Sequence, residues 1–201
     1  MKTQSNENRL KIRDLATMGI FAAVLMLFTM LAGLITGIVP VLFLFAPTVF
    51  ALLSGPVFMT VAVKVGKPGA VFITALIVGI LWTITGSVNY LISFAVFGIL
   101  AELVAALSRY KSMKWLTVSY VLFAFGYYMG ALGAIYFFLD YYIKIGTEVA
   151  QMPMDFLMGI VNAVRSWLSV PAVLGTVLAA IGSALLGKRI LRKHFVKAGV
   201  V

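Results

Sequence analysis

The sequence predicts an all-α integral membrane protein: six transmembrane helices, both termini cytoplasmic, and a short interfacial helix in the last extracellular loop. Three observations carry that expectation. Hydrophobic residues make up 63% of the chain and the mean hydropathy is +1.10, while charged residues fall to 11% against roughly 25% in an ordinary globular domain. The apolar residues come in runs of about 20, the length a helix needs to cross a bilayer, and in lipid a spanning segment must satisfy its own backbone. The basic residues gather at one alternate set of run ends.

The first run, residues 14–37, is too long for a secretory h-region and has no A-x-A cleavage site, so it reads as a span. "GIVP" ends it, and residues 41–63 follow, closed by "KVGKPG". Residues 69–85 and 89–107 are separated only by "TGS", so the third and fourth helices form an antiparallel pair. Residues 115–139 and 167–187 complete the six. The chain is one membrane domain, 1–201: a basic N-terminus at 1–13, the bundle at 14–187 and a basic tail at 188–201.

Fourteen of the 16 Lys and Arg fall on one side, at the N-terminus, at Lys64 and Lys67, at Arg109, Lys111 and Lys114, and in the tail. Only Lys144 and Arg165 fall on the other, which places both termini in the cytoplasm. The net charge of +10 is then a topology signal and a contact for anionic lipid, not a nucleic-acid footprint. Trp82, Trp115 and Trp167 stand at span ends, where indoles favour the interface. Within residues 140–166, "PMDFLMGIVNAVRSW" repeats helically. Unbroken to Gly187 it would run about 50 Å, so a short surface helix and a bend at Pro171 are expected.

Several chemistries are excluded. The chain has no Cys, hence no disulfide, thiolate site or thiol nucleophile. It has one His, His194, in the tail, so no two-His zinc site can be built. There is no phosphate loop ("GSALLGK" has the wrong spacing) and no G-x-S-x-G elbow. Neither an enzyme nor a resident cofactor is expected, and any ATP would be used by partner subunits. Glu102, in "GILAELVAAL", is the one ionisable residue well inside a span. A snorkelling or helix-pairing role, reaching toward Lys or Arg at the cytoplasmic surface, is the simplest reading.

Small residues at four-residue spacing mark close helix packing in lipid. They form stripes at Gly175, Ala179, Ser183 and Gly187, at Gly126, Gly130 and Gly133, and at Gly33 and Gly37; internal packing accounts for the first two. In "KIRDLATMGIFAAVL" the small residues Ala16, Gly19 and Ala23, flanked by Ala22, share a face at the charged boundary. There a groove for another protein's helix competes with internal packing.

That opening, together with the size, the six spans and "FGILAELVAALSRYKS", resembles the substrate-binding S-components of energy-coupling factor (ECF) transporters, and within them the MptD or Trep/Strep-type group. The resemblance implies a subunit that captures a micronutrient, a vitamin or vitamin precursor, from outside and delivers it inward. A transmembrane coupling protein and two ATPase subunits would supply the power, with Ala16, Gly19 and Ala23 as the partner-binding face in a prokaryotic plasma membrane. A strict Ala-x-x-x-Ala is replaced here by Gly19-x-x-x-Ala23. Alternatives are a solitary small carrier or channel-like protein, an importer subunit for haem, or a membrane scaffold.

Candidate ligand groups lie in the outer half: Asn89 and Tyr90 with Ser93 at the start of the fourth helix, Tyr136 and Asp140 one turn apart at the end of the fifth, and Asn162 and Arg165 before the last. An amide, a carboxylate and a guanidinium among aromatic walls fit the usual pocket recipe, and the aromatics suit a flat heterocycle. Tyr90, Tyr141, Tyr142 and Trp167 read equally as interfacial belt, Asp140 and Arg165 as a pair across the outer loop, and Asn89 as a turn former.

Overall fold

The computed structural model describes residues 9–197. Lys2 and the side chains of Lys193, His194 and Lys197, part of the basic termini read from the sequence, lie outside the described residues. Five helices are long and apolar enough to cross a membrane, and a sixth apolar helix is shorter; among the described residues there is no strand.

In chain order the elements are α1 (Ile12–Thr36), α2 (Pro40–Phe43), α3 (Ala46–Val65), α4 (Ala70–Thr83), α5 (Val88–Leu107), α6 (Met113–Phe137), α7 (Leu139–Lys144) with a π turn at Ile145–Val149, α8 (Met154–Arg165) and α9 (Ser169–Lys197). Around the bundle they run α1, α4, α5, α6, α9, α3 and back to α1, with α3 also touching α6 across the middle. The five candidate spans and the shorter α4 alternate in direction. The start of α1, the α3–α4 and α5–α6 turns and the end of α9 therefore share a basic end, and α2, α7 and α8 cover the far end.

The expected second span is broken. α2 is a single turn entered by Pro40, and α3 begins only at Ala46 with Pro47 in its first turn. Each of these prolines stands in the first turn of its own helix, where its missing N–H costs no intrahelical bond, and the rod breaks between them at Leu44 and Phe45. The last span differs too. The bend falls at Ser166, whose backbone is extended, and Pro171 sits harmlessly in the first turn of α9. The helix then continues past Gly187. Residues expected to be loop before α8 are largely helical.

Small residues hold the bundle together as the stripes predict. At Gly55 an added Cβ would lie 2.3 Å from Ser183 Oγ and 2.7 Å from its carbonyl carbon, and at Gly187 one would lie 3.1 Å from the Pro56 backbone. This crossing of α3 and α9 also repairs a defect. Pro56, inside α3, has no N–H to give the carbonyl of Leu52. Ser183 Oγ donates to that carbonyl at 2.6 Å and accepts from Gly55 N–H at 3.2 Å. In lipid no water could do this. Beside it, Tyr120 Oη lies 2.6 Å from the Ala51 carbonyl and 2.8 Å from Ser54 Oγ.

α4, at 14 residues, is about 21 Å long, short of a hydrocarbon core of about 30 Å. Its first N–H groups therefore need partners below the surface. Gly69, in the left-handed region at φ 91°, turns the chain so that Glu102 of α5 can supply them. The carboxylate accepts from Gly69 N at 2.8 Å, Val71 N at 2.9 Å and Phe72 N at 3.2 Å. Tyr110 adds its hydroxyl to the same carboxylate, and burial, then that bond, pushes the Tyr110 phenol far above its ordinary range, so it remains a donor. Glu102 is thus a helix cap and not the partner of a Lys or Arg. The one ion pair among the described residues, Lys67–Asp14 at 2.5 Å, ties the α3–α4 turn to the start of α1.

Candidate functional site

At the far end the bundle holds a cavity of about 680 Å³ between the second half of α1, the α4–α5 turn and the middle of α6, roofed by α7, the π turn and the start of α8. Its walls are aromatic. Trp82, near the end of α4, and Tyr90, one turn into α5, face each other because only residues 84–87 separate the two helices. Their rings stack at 4.2 Å and 9°. Tyr127 of α6 stands against Tyr90 at 5.7 Å and donates its hydroxyl to the Thr29 carbonyl of α1 at 3.0 Å. Gly130 makes room for this arrangement: a Cβ there would meet Tyr90 at 2.4 Å. Gly33 of α1 has nothing within 4 Å of a Cβ position and opens onto the cavity.

Asn89 anchors the polar side. Its amide donates to the Gly130 carbonyl and accepts from Tyr141 of α7 at 3.4 Å. Both residues also border a second void of about 490 Å³, an apolar groove between α5 and α6. In the roof, Val149 of the π turn rests on Gly86 at 3.1 Å from a Cβ position, and Leu157 of α8 fills the space above Gly146.

Of the six residues the sequence offers as ligand groups, the structure brings Asn89 and Tyr90 to this cavity and leaves four outside it. Tyr136 is exposed and donates toward the Val164 carbonyl at 3.2 Å. Asp140 and Asn162 are exposed. Arg165, exposed as well, reaches only the Ile135 carbonyl at 3.5 Å, and it forms no pair with Asp140. The reason is the break at Phe138, whose backbone leaves helical geometry at φ −144° and ψ 60°. It turns α7 off the axis of α6, so Tyr136 and Asp140 no longer share a face. Tyr90 is 8% exposed and sits inside the bundle instead of in an interfacial belt. Trp82 likewise faces inward, whereas Trp115 and Trp167 are exposed. Sequence reasoning passed over Trp82 and Tyr127; the short "TGS" turn, which forces Trp82 and Tyr90 onto facing helices, is the signal that could have found the pair.

The basic end carries the second candidate surface. Ala16 and Ala23 of α1 are exposed, Gly19 is half-buried, and a Cβ on Gly19 would meet nothing within 4 Å. Ala22 and Met18 take the inward face. Ile12 and Ile20 flank the small residues, both largely exposed. Unlike Gly55, Gly130 or Gly187, these positions are used by no crossing among the described residues. Among the described residues, no group of three or more His, Cys, Asp or Glu side chains could hold a metal.

Residues 12–197 match a family model described as "Hypothetical bacterial integral membrane protein (Trep_Strep)". No curated protein and no solved structure matches the chain.

Proposed function

The chain belongs to the Trep_Strep family of hypothetical bacterial integral membrane proteins, a multi-pass membrane protein fitting a bacterial cell membrane, and we propose that it is the substrate-binding subunit of an ATP-driven importer of the ECF type. It captures a small nutrient from outside in the Trp82–Tyr90 cavity and passes it inward with a membrane coupling protein and two ATPase subunits. The observation that carries this reading is the open face of α1. Gly55, Gly98, Gly130 and Gly187 sit at internal crossings, whereas Ala16, Gly19 and Ala23 stay uncovered together on one face at the basic end. Small residues let a second helix approach closely in lipid, where association rests on packing. Capture and power are then assigned to opposite ends: the ligand cavity at the far end, the docking face where the basic residues point toward the cytoplasm.

Affinity purification of the tagged chain from bacterial membranes tests the assignment. A second integral membrane protein and ATPase subunits are expected to co-elute in fixed ratio, with ATP hydrolysis following them through a sizing column. Elution of the chain alone, under conditions that preserve its own fold, overturns the importer assignment and leaves the solitary carrier.

A further inference from the structure

We propose that the far-end cavity takes an uncharged, flat ring compound bearing hydrogen-bond acceptors such as carbonyl oxygens or ring nitrogens. The proposal deepens the capture reading above and rests on it. The first ground is charge. Among the described residues no Asp, Glu, Lys, Arg or His lines the cavity; the nearest in sequence, Asp140, Lys144, Glu148 and Asp155, are exposed outside it. An ion taken into such a space would lose its water without gaining a partner. A neutral ligand avoids this.

The second ground is shape. Trp82, Tyr90, Tyr127, Tyr141 and Tyr142 give the walls flat faces, on which aromatic rings are held by offset stacking beyond the burial of their area. The third is the pattern of unused polar groups. The Trp82 Nε1–H is buried and finds no acceptor, an unusual state for an indole in a protein interior. Among the described residues the Tyr142 hydroxyl also bonds to no protein group, and burial raises its phenol far above its ordinary range, keeping the proton on. The Tyr142 hydroxyl offers an acceptor on the ligand an unused donor in the aromatic wall, and the buried indole N–H joins it when the Trp82 ring turns toward the cavity. Two carbonyls of the wall, those of Thr29 and Gly130, are taken by Tyr127 and Asn89.

The test uses the full chain in nanodiscs and two probes sharing one ring and one carbonyl: coumarin, which is neutral, and coumarin-3-carboxylate, which is anionic at pH 7. Equilibrium dialysis against empty nanodiscs is expected to show saturable coumarin binding, about tenfold or more tighter than the carboxylate. Gly33→Leu, whose side chain enters vacant space, is expected to abolish it. Trp82→Phe is expected to weaken it about tenfold, because the smaller ring gives up the indole N–H and part of the face that stacks on Tyr90, with a modest fall in the thermal midpoint from the lost packing. Equal or tighter binding of the carboxylate overturns the uncharged class, and saturable binding of neither probe overturns the ring class. A chain that binds coumarin yet purifies alone keeps the ligand class and loses the importer assignment, so the two fail separately.

Discussion

Replacing Gly19 and Ala23 together with leucine is expected to reduce co-purification of the coupling protein about tenfold or more, while the thermal midpoint of the isolated chain stays level or rises. The first half follows from distance. Two helices in lipid associate through close backbone approach, and the smallest residues set how close. A pair of leucines at i and i+4 fills the seat and holds a docking helix away. The second half follows from what these positions touch. Among the described residues a Cβ on Gly19 meets no atom within 4 Å, and Ala23 is exposed, so longer side chains point away from the core. Leucine is also a better helix former than glycine by roughly 0.8 kcal/mol. Size-exclusion of the tagged complex, with melting of the free subunit alongside, reads both. The same two leucines placed at Gly55 and Gly187 would do the reverse, since those positions touch Ser183 and Pro56.

Glu102→Ala is expected to be the most damaging single change outside the helix crossings, lowering stability by about 4 kcal/mol or more. The substitution strips the partner from three N–H groups at the start of α4 and from the Tyr110 hydroxyl. A donor left unpaired away from water costs about 1–3 kcal/mol, and the favourable meeting of a carboxylate with a helix N-terminus is lost as well. Glu102→Gln is expected to fall between, because the amide keeps one acceptor oxygen but turns N–H groups toward donors. Thermal unfolding in detergent, followed by near-ultraviolet circular dichroism, gives the order wild type, Gln, Ala. A Gln variant as unstable as Ala would mean that the charge, not the hydrogen-bond count, carries the cap.

The helices were legible in the sequence because their cause is local. Residues 88–107 and 113–137 must hide their backbone from lipid, and any apolar run of that length does so as a helix. The stripe Gly175, Ala179, Ser183 and Gly187 was legible for the same reason, its spacing being its function. What stayed hidden depends on partners far along the chain. Glu102 could be marked as the lone carboxylate in a span, but the N–H groups it caps lie 30 to 33 residues earlier. Trp82 stood at a predicted span end and read as belt. The four-residue turn after a short α4 sets that end inside the bundle, against Tyr90. Asn89 could be placed at a turn and also beside a cavity, and it occupies both positions. Tyr136, Asp140, Asn162 and Arg165 share the far end with the cavity, yet the break at Phe138 and the exposed face of α8 keep them out of it.

Because the chain contains no cysteine, the docking face can be probed one position at a time. Single cysteines at Ala16, Gly19 and Ala23, each carrying a benzophenone and irradiated in native membranes, are expected to yield an adduct with a second integral membrane protein. Cysteines at Leu174 and Leu178, exposed on α9, are expected to yield only lipid adducts. Lipid adducts alone at all five positions would contradict the assignment of α1 as the seat of a coupling partner.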